Sequence, residues 1–261
     1  MSTNTNIITT QELSIGYHSK RITNTIASNL NLQLTSGQLY SLVGANGVGK
    51  STLLRTITGI QKPLQGSVFL HEKSIHDIPS TAIAQELSLV LTEKLPPNNL
   101  TVYELIALGR QPYTNWLGQL SDADREKIKQ AIALTQLEHL TNKKYYEISD
   151  GQLQIVLIAR ALAQDTPIII LDEPTTHLDL VHKVSVFKLL KKLSSETNKC
   201  ILFSTHDVDL AIQLSDQMIV MTENQVHQDQ PCNLITQGVF SSLFKDESIA
   251  FDGEKGKFII S

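Results

Sequence analysis

The most constraining feature of this sequence is a glycine-rich segment that lies between an apolar run and a helical pattern. Residues 44–51 read G-A-N-G-V-G-K-S and match the pattern G-x-x-x-x-G-K-[ST] at every fixed position. The apolar run Leu39–Val43 precedes the segment, and the helical pattern that follows it ends at Gly59. Glycines let consecutive backbone N–H groups turn inward around phosphate oxygens, and a helix N-terminus adds the positive end of its dipole. The segment therefore predicts a phosphate-binding loop, which we call the phosphate loop.

Each residue type of the phosphate loop has a role in binding a nucleoside triphosphate. Lys50 would place a full positive charge at the β- and γ-phosphates, and Ser51 would offer a hydroxyl to Mg²⁺. The alternative is a chance glycine-rich turn before a helix, and the strand-like run before the loop argues against it. The predicted nucleotide-binding residues of the loop are Gly44, Ala45, Asn46, Gly47, Val48, Gly49, Lys50, Ser51 and Thr52.

Two carboxylates end a second aliphatic run. Ile168–Leu171 is followed directly by Asp172 and Glu173. Unpaired charge at the end of a buried strand is costly, so these carboxylates need a reason to be there. In a phosphate-loop protein the first usually binds Mg²⁺, and the second orients and deprotonates the attacking water. Asp172 is therefore the predicted metal ligand and Glu173 the predicted base. The alternative is a helix start, because Asp172, Glu173 and Pro174 are also residue types that begin helices.

Apolar runs alternate with helical patterns over most of the chain. The strand-like runs are Leu39–Val43, Ile168–Leu171, Ile201–Ser204 and Met218–Met221, the last with Gln225–Gln228 as a possible hairpin partner. A helical pattern runs from Val181 to about Leu193. Strands that alternate with helices predict an α/β fold with a mostly parallel sheet and helices on both faces.

The middle of the chain, from about Leu100 to Ala163, is almost wholly helical in pattern. Pro96–Asn99 marks the entry to this region as a loop. We interpret the region as a helical subdomain inserted into the α/β core. Its segments that resemble helix-starting capping boxes are Thr101-x-x-Glu104, Ser121-x-x-Asp124 and Ser149-x-x-Gln152.

Composition excludes several classes of protein. The 261 residues contain 22 Lys and Arg against 26 Asp and Glu, and a net charge of −4 argues against a broad nucleic-acid-binding face. The N-terminus lacks a secretory pattern, and no window is apolar enough to span a membrane. Cys200 and Cys232 show no metal-ligand spacing, and Cys200 fits a small buried hydrophobe. These features suit a reducing cytoplasm.

A further motif, Ile148-Ser149-Asp150-Gly151-Gln152, comes 20 residues before Asp172 and opens a helix. Its simplest interpretation is a capped helix start with Ser149 as the N-cap. The same geometry would also make a second phosphate site from the Ser149 hydroxyl, the Gly151 N–H and the helix N-terminus. Because this motif is remote from the phosphate loop in sequence, two copies facing head to tail would complete each other's sites.

Taken together, these motifs resemble the ATP-binding subunit of an ABC transporter over essentially the whole chain. Residues 44–52 match the family's Walker A loop, and residues 168–173 match its Walker B strand with the catalytic glutamate. Residues 148–152 match the L-S-G-G-Q signature, with Ile148 for leucine and Asp150 for the first of the two central glycines. The resemblance makes Ser149, Gly151 and Gln152 nucleotide-binding residues.

Three further residues follow from the resemblance. Asp179, in the segment T-H-L-D at residues 176–179, fits the family's D-loop and is expected at the nucleotide. His206 follows the run Ile201–Ser204 and fits the switch histidine, which contacts the γ-phosphate; a simple turn histidine is the alternative. Tyr17 fits the aromatic residue that stacks on adenine, and an ordinary edge-strand aromatic is the alternative.

The resemblance also implies an architecture and partners. It predicts one ABC ATPase domain over residues 1–261, with a RecA-like P-loop NTPase core at about 1–92 and 163–261. The core would carry an antiparallel β-rich N-terminal part, and the helical subdomain would occupy about 93–162. The implied cofactors are ATP and Mg²⁺. The implied partners are a second copy, transmembrane permease subunits and a substrate-binding protein, which place the chain at the cytoplasmic face of the membrane.

The chain departs from the family pattern where a glutamine usually ends the strand before the helical subdomain. Thr92 falls at that place, and Glu93 follows it. The glutamine normally touches Mg²⁺ and the attacking water, so its role is in question here. We predict that Thr92 is the substitute metal ligand, with Glu93 as the alternative.

A narrower resemblance points to the transported substrate. The segment Leu105–Tyr113 and the short C-terminus are similar to subunits that power import of iron(III)-siderophores, haem and cobalamin. The alternatives are the ATPase of an ABC exporter, a soluble ABC ATPase outside transport, and a nucleotide-binding regulator that does not hydrolyse ATP. Retention of Glu173 and His206 argues against the regulator.

Overall fold

A parallel sheet lies at the centre of the fold, and the phosphate loop leaves one of its strands. The structure is a computed structural model and describes residues 6–19, 22–91, 99–176, 178–223, 225–243 and 249–260. The strands in these ranges are β1 (Asn6–Ser19), β2 (Ile22–Leu30), β3 (Gln33–Thr35), β4 (Leu39–Gly44), β5 (Gln65–Leu70), β6 (Lys73–Ser74), β7 (Leu87–Val90), β8 (Ile168–Leu171), β9 (Cys200–Ser204), β10 (Gln217–Met221), β11 (Val226–Asp229), β12 (Ile249–Asp252) and β13 (Lys257–Ile260). The α-helices in the same ranges are α1 (Lys50–Ile57), α2 (Ser80–Glu86), α3 (Val102–Ala107), α4 (Asp122–Thr135), α5 (Asp150–Ala163), α6 (Leu180–Thr197), α7 (Val208–Leu214) and α8 (Pro231–Thr236).

The central sheet has the strand order β11-β10-β4-β9-β8-β7. Strands β10, β4, β9, β8 and β7 run parallel, and β11 returns antiparallel to β10 as the predicted hairpin partner. Every residue of β4, β8 and β9 is buried, which explains why β8 is wholly aliphatic and why β4 and β9 are largely apolar. The predicted parallel α/β core is confirmed. Cys200 is buried in this sheet, and burial raises the pKa of its thiol.

A second, antiparallel sheet covers one side of the core. Its order is β2-β1-β5-β6, and β3 also pairs with β1. This is the predicted antiparallel β-rich N-terminal part. The apolar side chains Leu53, Leu54 and Ile57 of α1 share one buried cluster with residues of both sheets, such as Leu13 and Leu42. The helix after the phosphate loop is therefore packed between the two sheets.

Helices fill the middle of the chain, as predicted. Each capping box forms with both reciprocal hydrogen bonds: Thr101 with Glu104, Ser121 with Asp124, and Ser149 with Gln152. The later helix α6 is longer than the predicted Val181–Leu193, because Asp179 caps its start and Asn198, in the left-handed region, ends it. The division at 92/93 and 162/163 stays a prediction. Within the described residues, no helix has the length and apolar character needed to cross a membrane.

One buried ion pair ties this helical region together. Arg110, in a 3₁₀ segment after α3, donates from Nε to Asp124 Oδ1 at 2.8 Å. Its Nη1 donates to the carbonyl oxygens of Ala163 at 2.9 Å and Gln164 at 3.2 Å, at the end of α5. The guanidinium also lies 3.9 Å from the centre of the Tyr113 ring. Arg110 thus joins α4, α5 and the 3₁₀ segment from a position inside the protein.

We expect Arg110→Ala to lower the free energy of unfolding by about 3–5 kcal/mol, because it leaves the buried Asp124 carboxylate without its partner. Urea unfolding followed by circular dichroism measures this loss. The control is Arg125→Ala, an exposed residue of α4, which should change stability by less than about 0.5 kcal/mol. Similar losses for the two variants would contradict the structural role of Arg110.

Candidate nucleotide-binding site

The phosphate loop turns sharply between β4 and α1. Gly47 has φ 77° and Gly49 has φ 110°, both in the left-handed region that favours glycine. A Cβ at residue 49 would also lie 2.3 Å from Ile26 Cγ2, so a larger residue would not fit there. Asn46 is exposed at the tip of the loop, and Ser51 is half-buried in the first turn of α1. The loop has the backbone conformation that its glycines predict.

Lys50 is folded back over the loop and is only 5% exposed. Its Nζ donates to the carbonyl oxygen of Gly44 at 3.0 Å and lies 3.4 Å from that of Ala45. Burial lowers the pKa of Lys50, and the neighbouring Glu173 and Asp172 carboxylates act in the opposite direction. The ammonium is therefore held at the mouth of the loop and faces the acidic pair.

The acidic pair stands at the end of β8, beside the phosphate loop. Asp172 Oδ1 accepts a hydrogen bond from Ser204 Oγ at 2.6 Å. Glu173 has φ 50°, an uncommon value for a residue other than glycine, and its N–H donates to the same Ser204 Oγ at 2.8 Å. Thr176 Oγ1 donates to Glu173 Oε2 at 3.1 Å. The alternative of a helix that begins at Asp172 is wrong, because the next helix starts at Leu180.

His206 lies between Glu173 and Lys50. Its Nε2 is 2.6 Å from Glu173 Oε1, and its Nδ1 is 3.5 Å from Lys50 Nζ. An ammonium group can only donate, so a hydrogen bond from Lys50 Nζ requires Nδ1 as the acceptor, with the Nε2 hydrogen directed at Glu173 Oε1. The structure thus brings together Lys50, Glu173 and His206, which sequence reasoning selected from three separate segments.

The signature motif lies at the start of α5. Ser149 Oγ accepts from the Gln152 N–H at 3.3 Å, and Gln152 Oε1 accepts from the Ser149 N–H at 3.1 Å. Ser149 is therefore the N-cap of α5, as the simplest interpretation of the motif predicts. Among the described residues, no hydrogen bond joins this turn to the phosphate loop of the same chain. Completion of the site by Ser149, Gly151 and Gln152 of a second copy stays a prediction.

Sequence reasoning missed the contact that His182 makes with the signature. A Cβ at Gly151 would lie 2.9 Å from His182 Cδ2, so the ring packs directly over this glycine. His182 Nδ1 is 2.8 Å from Asp179 Oδ1, and the same oxygen accepts from the His182 N–H at 2.9 Å. His182 is exposed. It also joins the predicted D-loop carboxylate to the signature.

Tyr17 lies on β1, close to the first turn of α1. The residue is 45% exposed, and its hydroxyl is 2.7 Å from Thr52 Oγ1. The hydroxyl contact fixes one edge of the ring, and the residue stays partly open to solvent. This exposure fits both a stacking platform for adenine and an ordinary edge-strand aromatic. The adenine role of Tyr17 therefore stays a prediction.

The residues predicted for Mg²⁺ offer the hard oxygen donors that this ion prefers. Asp172 uses Oδ1 for Ser204, and its Oδ2 makes no hydrogen bond within the described residues. Ser51 supplies a half-buried hydroxyl on the loop side. Thr92 and Glu93, the proposed substitutes for the glutamine, lie outside the described residues. The donor set that is described therefore fits Mg²⁺.

The comparison with known families agrees with this geometry. Residues 27–176 match the family model described as ABC transporter, which covers more than half of the chain. The chain belongs to the ABC transporter family. It is an ATP-binding and ATP-hydrolysing subunit, and we call it the cassette from here on.

Curated relatives resemble the cassette over nearly its full length. The achromobactin transport ATP-binding protein CbrD of Dickeya dadantii (strain 3937) is 39% identical, over 91% of the cassette and 87% of the relative. The iron(3+)-hydroxamate import ATP-binding protein FhuC of Bacillus subtilis (strain 168) is 35% identical, over 97% of the cassette and 93% of the relative. The ferric enterobactin transport ATP-binding protein FepC of Escherichia coli (strain K12) is 32% identical, over 90% of the cassette and 85% of the relative.

Solved structures give the same fold. A dimeric bacterial ABC transporter cassette aligns with a TM-score of 0.73 at 28% identity, over 86% of the cassette and 99% of that chain. A post-hydrolysis dimer of the same protein, bound to ADP and phosphate, gives the same values. That solved cassette thus forms a dimer with ADP and phosphate bound.

Proposed function

We propose that the cassette powers the import of iron(III)–siderophore complexes. The observation that supports this is its similarity, over nine-tenths or more of its length, to relatives named for such substrates. Iron(3+)-hydroxamate and ferric enterobactin, in two of those names, are both iron(III) chelates. The word import in the name of the Bacillus subtilis relative favours an importer over the exporter and over a soluble ABC ATPase. Haem and cobalamin are the competing substrates.

The contacts around Glu173 support a role for it as the base. Its carboxylate accepts from His206 at 2.6 Å and from Thr176 at 3.1 Å, so its direction is fixed. Glu173 would take a proton from the attacking water as the water oxygen bonds to the γ-phosphorus. The bond from that phosphorus to the β,γ-bridging oxygen then breaks, and ADP leaves. Lys50 would bind the β- and γ-phosphate oxygens, and His206 would contact the γ-phosphate.

Ser51 and Asp172 would hold Mg²⁺, with a third donor from Thr92 or Glu93. When bound, the ion would offset the negative charge of the phosphates. The backbone N–H groups of residues 44–52 would surround the same phosphates, and Tyr17 would stack on the adenine. These roles rest on the geometry of the loop and on the oxygen donors beside it.

The distance in sequence between the signature and the phosphate loop, together with the dimeric solved cassettes, supports a homodimer. Two copies facing head to tail would bring Ser149, Gly151 and Gln152 of the partner subunit to the γ-phosphate, with Asp179 nearby. Closure on ATP and reopening after hydrolysis would drive permease subunits between two states. A substrate-binding protein would deliver the chelate on the other side. The cassette would then sit at the cytoplasmic face of the membrane through its permease.

Uptake by cells that lack the gene tests the substrate. We expect loss of uptake of radiolabelled iron supplied as a hydroxamate or catecholate siderophore, and recovery with the wild-type gene but not with Glu173→Gln. Haem and cobalamin uptake are measured in the same cells. Unchanged siderophore uptake together with loss of haem or cobalamin uptake would identify haem or cobalamin as the substrate instead. Accumulation of a compound inside the mutant cells would indicate an exporter.

A further inference from the structure

Ser204, the last residue of β9, contacts both members of the acidic pair. The residue is completely buried, at 0% exposure. Its hydroxyl donates to Asp172 Oδ1 at 2.6 Å and accepts from the Glu173 N–H at 2.8 Å. Both contacts lie within normal hydrogen-bond distances. The single hydrogen of this hydroxyl and one of its lone pairs therefore bind two adjacent residues that directly follow β8.

The register of the central sheet creates this contact. Leu171 of β8 lies opposite Phe203 of β9, so Asp172 and Ser204 both come one position later, at the same sheet edge. On its other side, Ser204 lies opposite Leu42 of β4, two residues before the phosphate loop begins. Ser204 thus stands between the strand that carries the loop and the strand that carries the carboxylates.

The two hydrogen bonds have different consequences. The bond to Asp172 occupies Oδ1 and leaves Oδ2 without a hydrogen bond among the described residues, so it decides which oxygen is available to a cation. The bond from the Glu173 N–H satisfies a donor in a backbone with φ 50°. A left-handed backbone is unfavourable for a side chain larger than glycine and persists only where its surroundings hold it. This backbone points the Glu173 carboxylate at His206.

We propose that Ser204 is a positioning residue for ATP hydrolysis, which orients the Asp172 carboxylate toward the metal and holds the Glu173 backbone in its strained conformation. The proposal rests on the proposed roles of Asp172 and Glu173. Ser204 does not touch the phosphate loop through its hydroxyl, so nucleotide binding without Mg²⁺ should not depend on it. Loss of a group that orients a metal ligand typically costs about 10- to 100-fold in activity or metal affinity.

The matched control is Ser41, one strand away on β4. Ser41 is also completely buried, and it lies opposite Phe203, the residue before Ser204. Its hydroxyl has no hydrogen-bond partner within the described residues. Ser41→Ala and Ser204→Ala therefore remove the same buried atom from neighbouring strands, and only the second removes contacts to the acidic pair.

Steady-state ATPase at varied Mg²⁺ and ATP tests the proposal. For Ser204→Ala we expect kcat to fall about 10- to 100-fold and the Mg²⁺ midpoint to rise, while Mg²⁺-free ATP binding stays within about 3-fold of wild type. Amide exchange at Glu173, measured without nucleotide, should become faster in this variant. Ser41→Ala should match wild type in all of these measurements, and Ser204→Thr, which keeps the hydroxyl, should recover most of the kcat.

Three results would overturn the proposal. The first is a wild-type kcat and Mg²⁺ midpoint in Ser204→Ala, and the second is unchanged exchange at Glu173. The third is a loss of Mg²⁺-free ATP binding well beyond that of Ser41→Ala, which would assign a general structural role. Glu173→Gln is assayed alongside. If it is inactive while Ser204→Ala is normal, only this inference fails; if it is active, the proposed catalytic role of Glu173 fails.

Discussion

We expect Glu173→Gln to bind ATP and to lose turnover by about 10²- to 10⁴-fold, the usual contribution of a general base. The amide has the same shape as the carboxylate, and its oxygen can still accept from His206 Nε2 or Thr176 Oγ1, which now contact the two carboxylate oxygens. It cannot take a proton from water. ATP should therefore persist in the site.

The same variant tests the dimer. With ATP and Mg²⁺ it should run as a dimer in size-exclusion chromatography, and without nucleotide as a monomer. Adding Ser149→Arg should block the dimer, because the arginine places bulk at the turn that would face the partner's nucleotide. A stable dimer in the double variant would refute the shared site. Glu138→Gln, an exposed residue of the helical region, is the control and should hydrolyse ATP normally.

We expect Lys50→Ala to weaken ATP binding about 10- to 150-fold, because it removes a charge-assisted contact worth about 1.5–3 kcal/mol. Turnover should be abolished, since Lys50 is the cation that the loop holds beside Glu173 and His206. The alanine would also leave the carbonyl oxygen of Gly44 without its ammonium donor. Fluorescent-nucleotide titration and steady-state ATPase measure the two effects.

The control for Lys50 is Lys62→Ala, which removes the same charge from an exposed position. This variant should bind and hydrolyse ATP as wild type does, so a shared loss would point to net charge. Unchanged affinity and near-normal ATPase in Lys50→Ala would mean that residues 44–52 do not bind the nucleotide phosphates.

Several features could be predicted because their causes lie within a few residues of sequence. The phosphate loop depends on glycines at positions with positive φ, such as Gly47 and Gly49. The capping box of Ser149 and Gln152 joins residues three apart. The buried strand β8 is recognisable because both of its faces are covered, which makes the run wholly aliphatic. The family resemblance then added His206 and Asp179 to the predicted nucleotide site.

Other features depended on which strands and helices meet. The Ser204 hydroxyl reaches the Glu173 N–H across 31 residues of sequence, and this requires the pairing of β8 with β9 in one register. The packing of His182 over Gly151 requires α5 and α6 to begin side by side. Arg110 belonged to a segment chosen for resemblance, and only the structure shows it buried against Asp124.

The sequence by itself therefore indicated which residues belong to the candidate site, through glycine conformation, helix capping and aliphatic strand pattern together with the family resemblance. The tertiary structure alone decided how those groups are oriented. A serine at the end of an aliphatic strand carries no local signal, since its partners are set by strand order and register. The orientation of the Asp172 carboxylate and the backbone conformation of Glu173 follow from their contacts with Ser204. No spacing along the chain encodes these contacts.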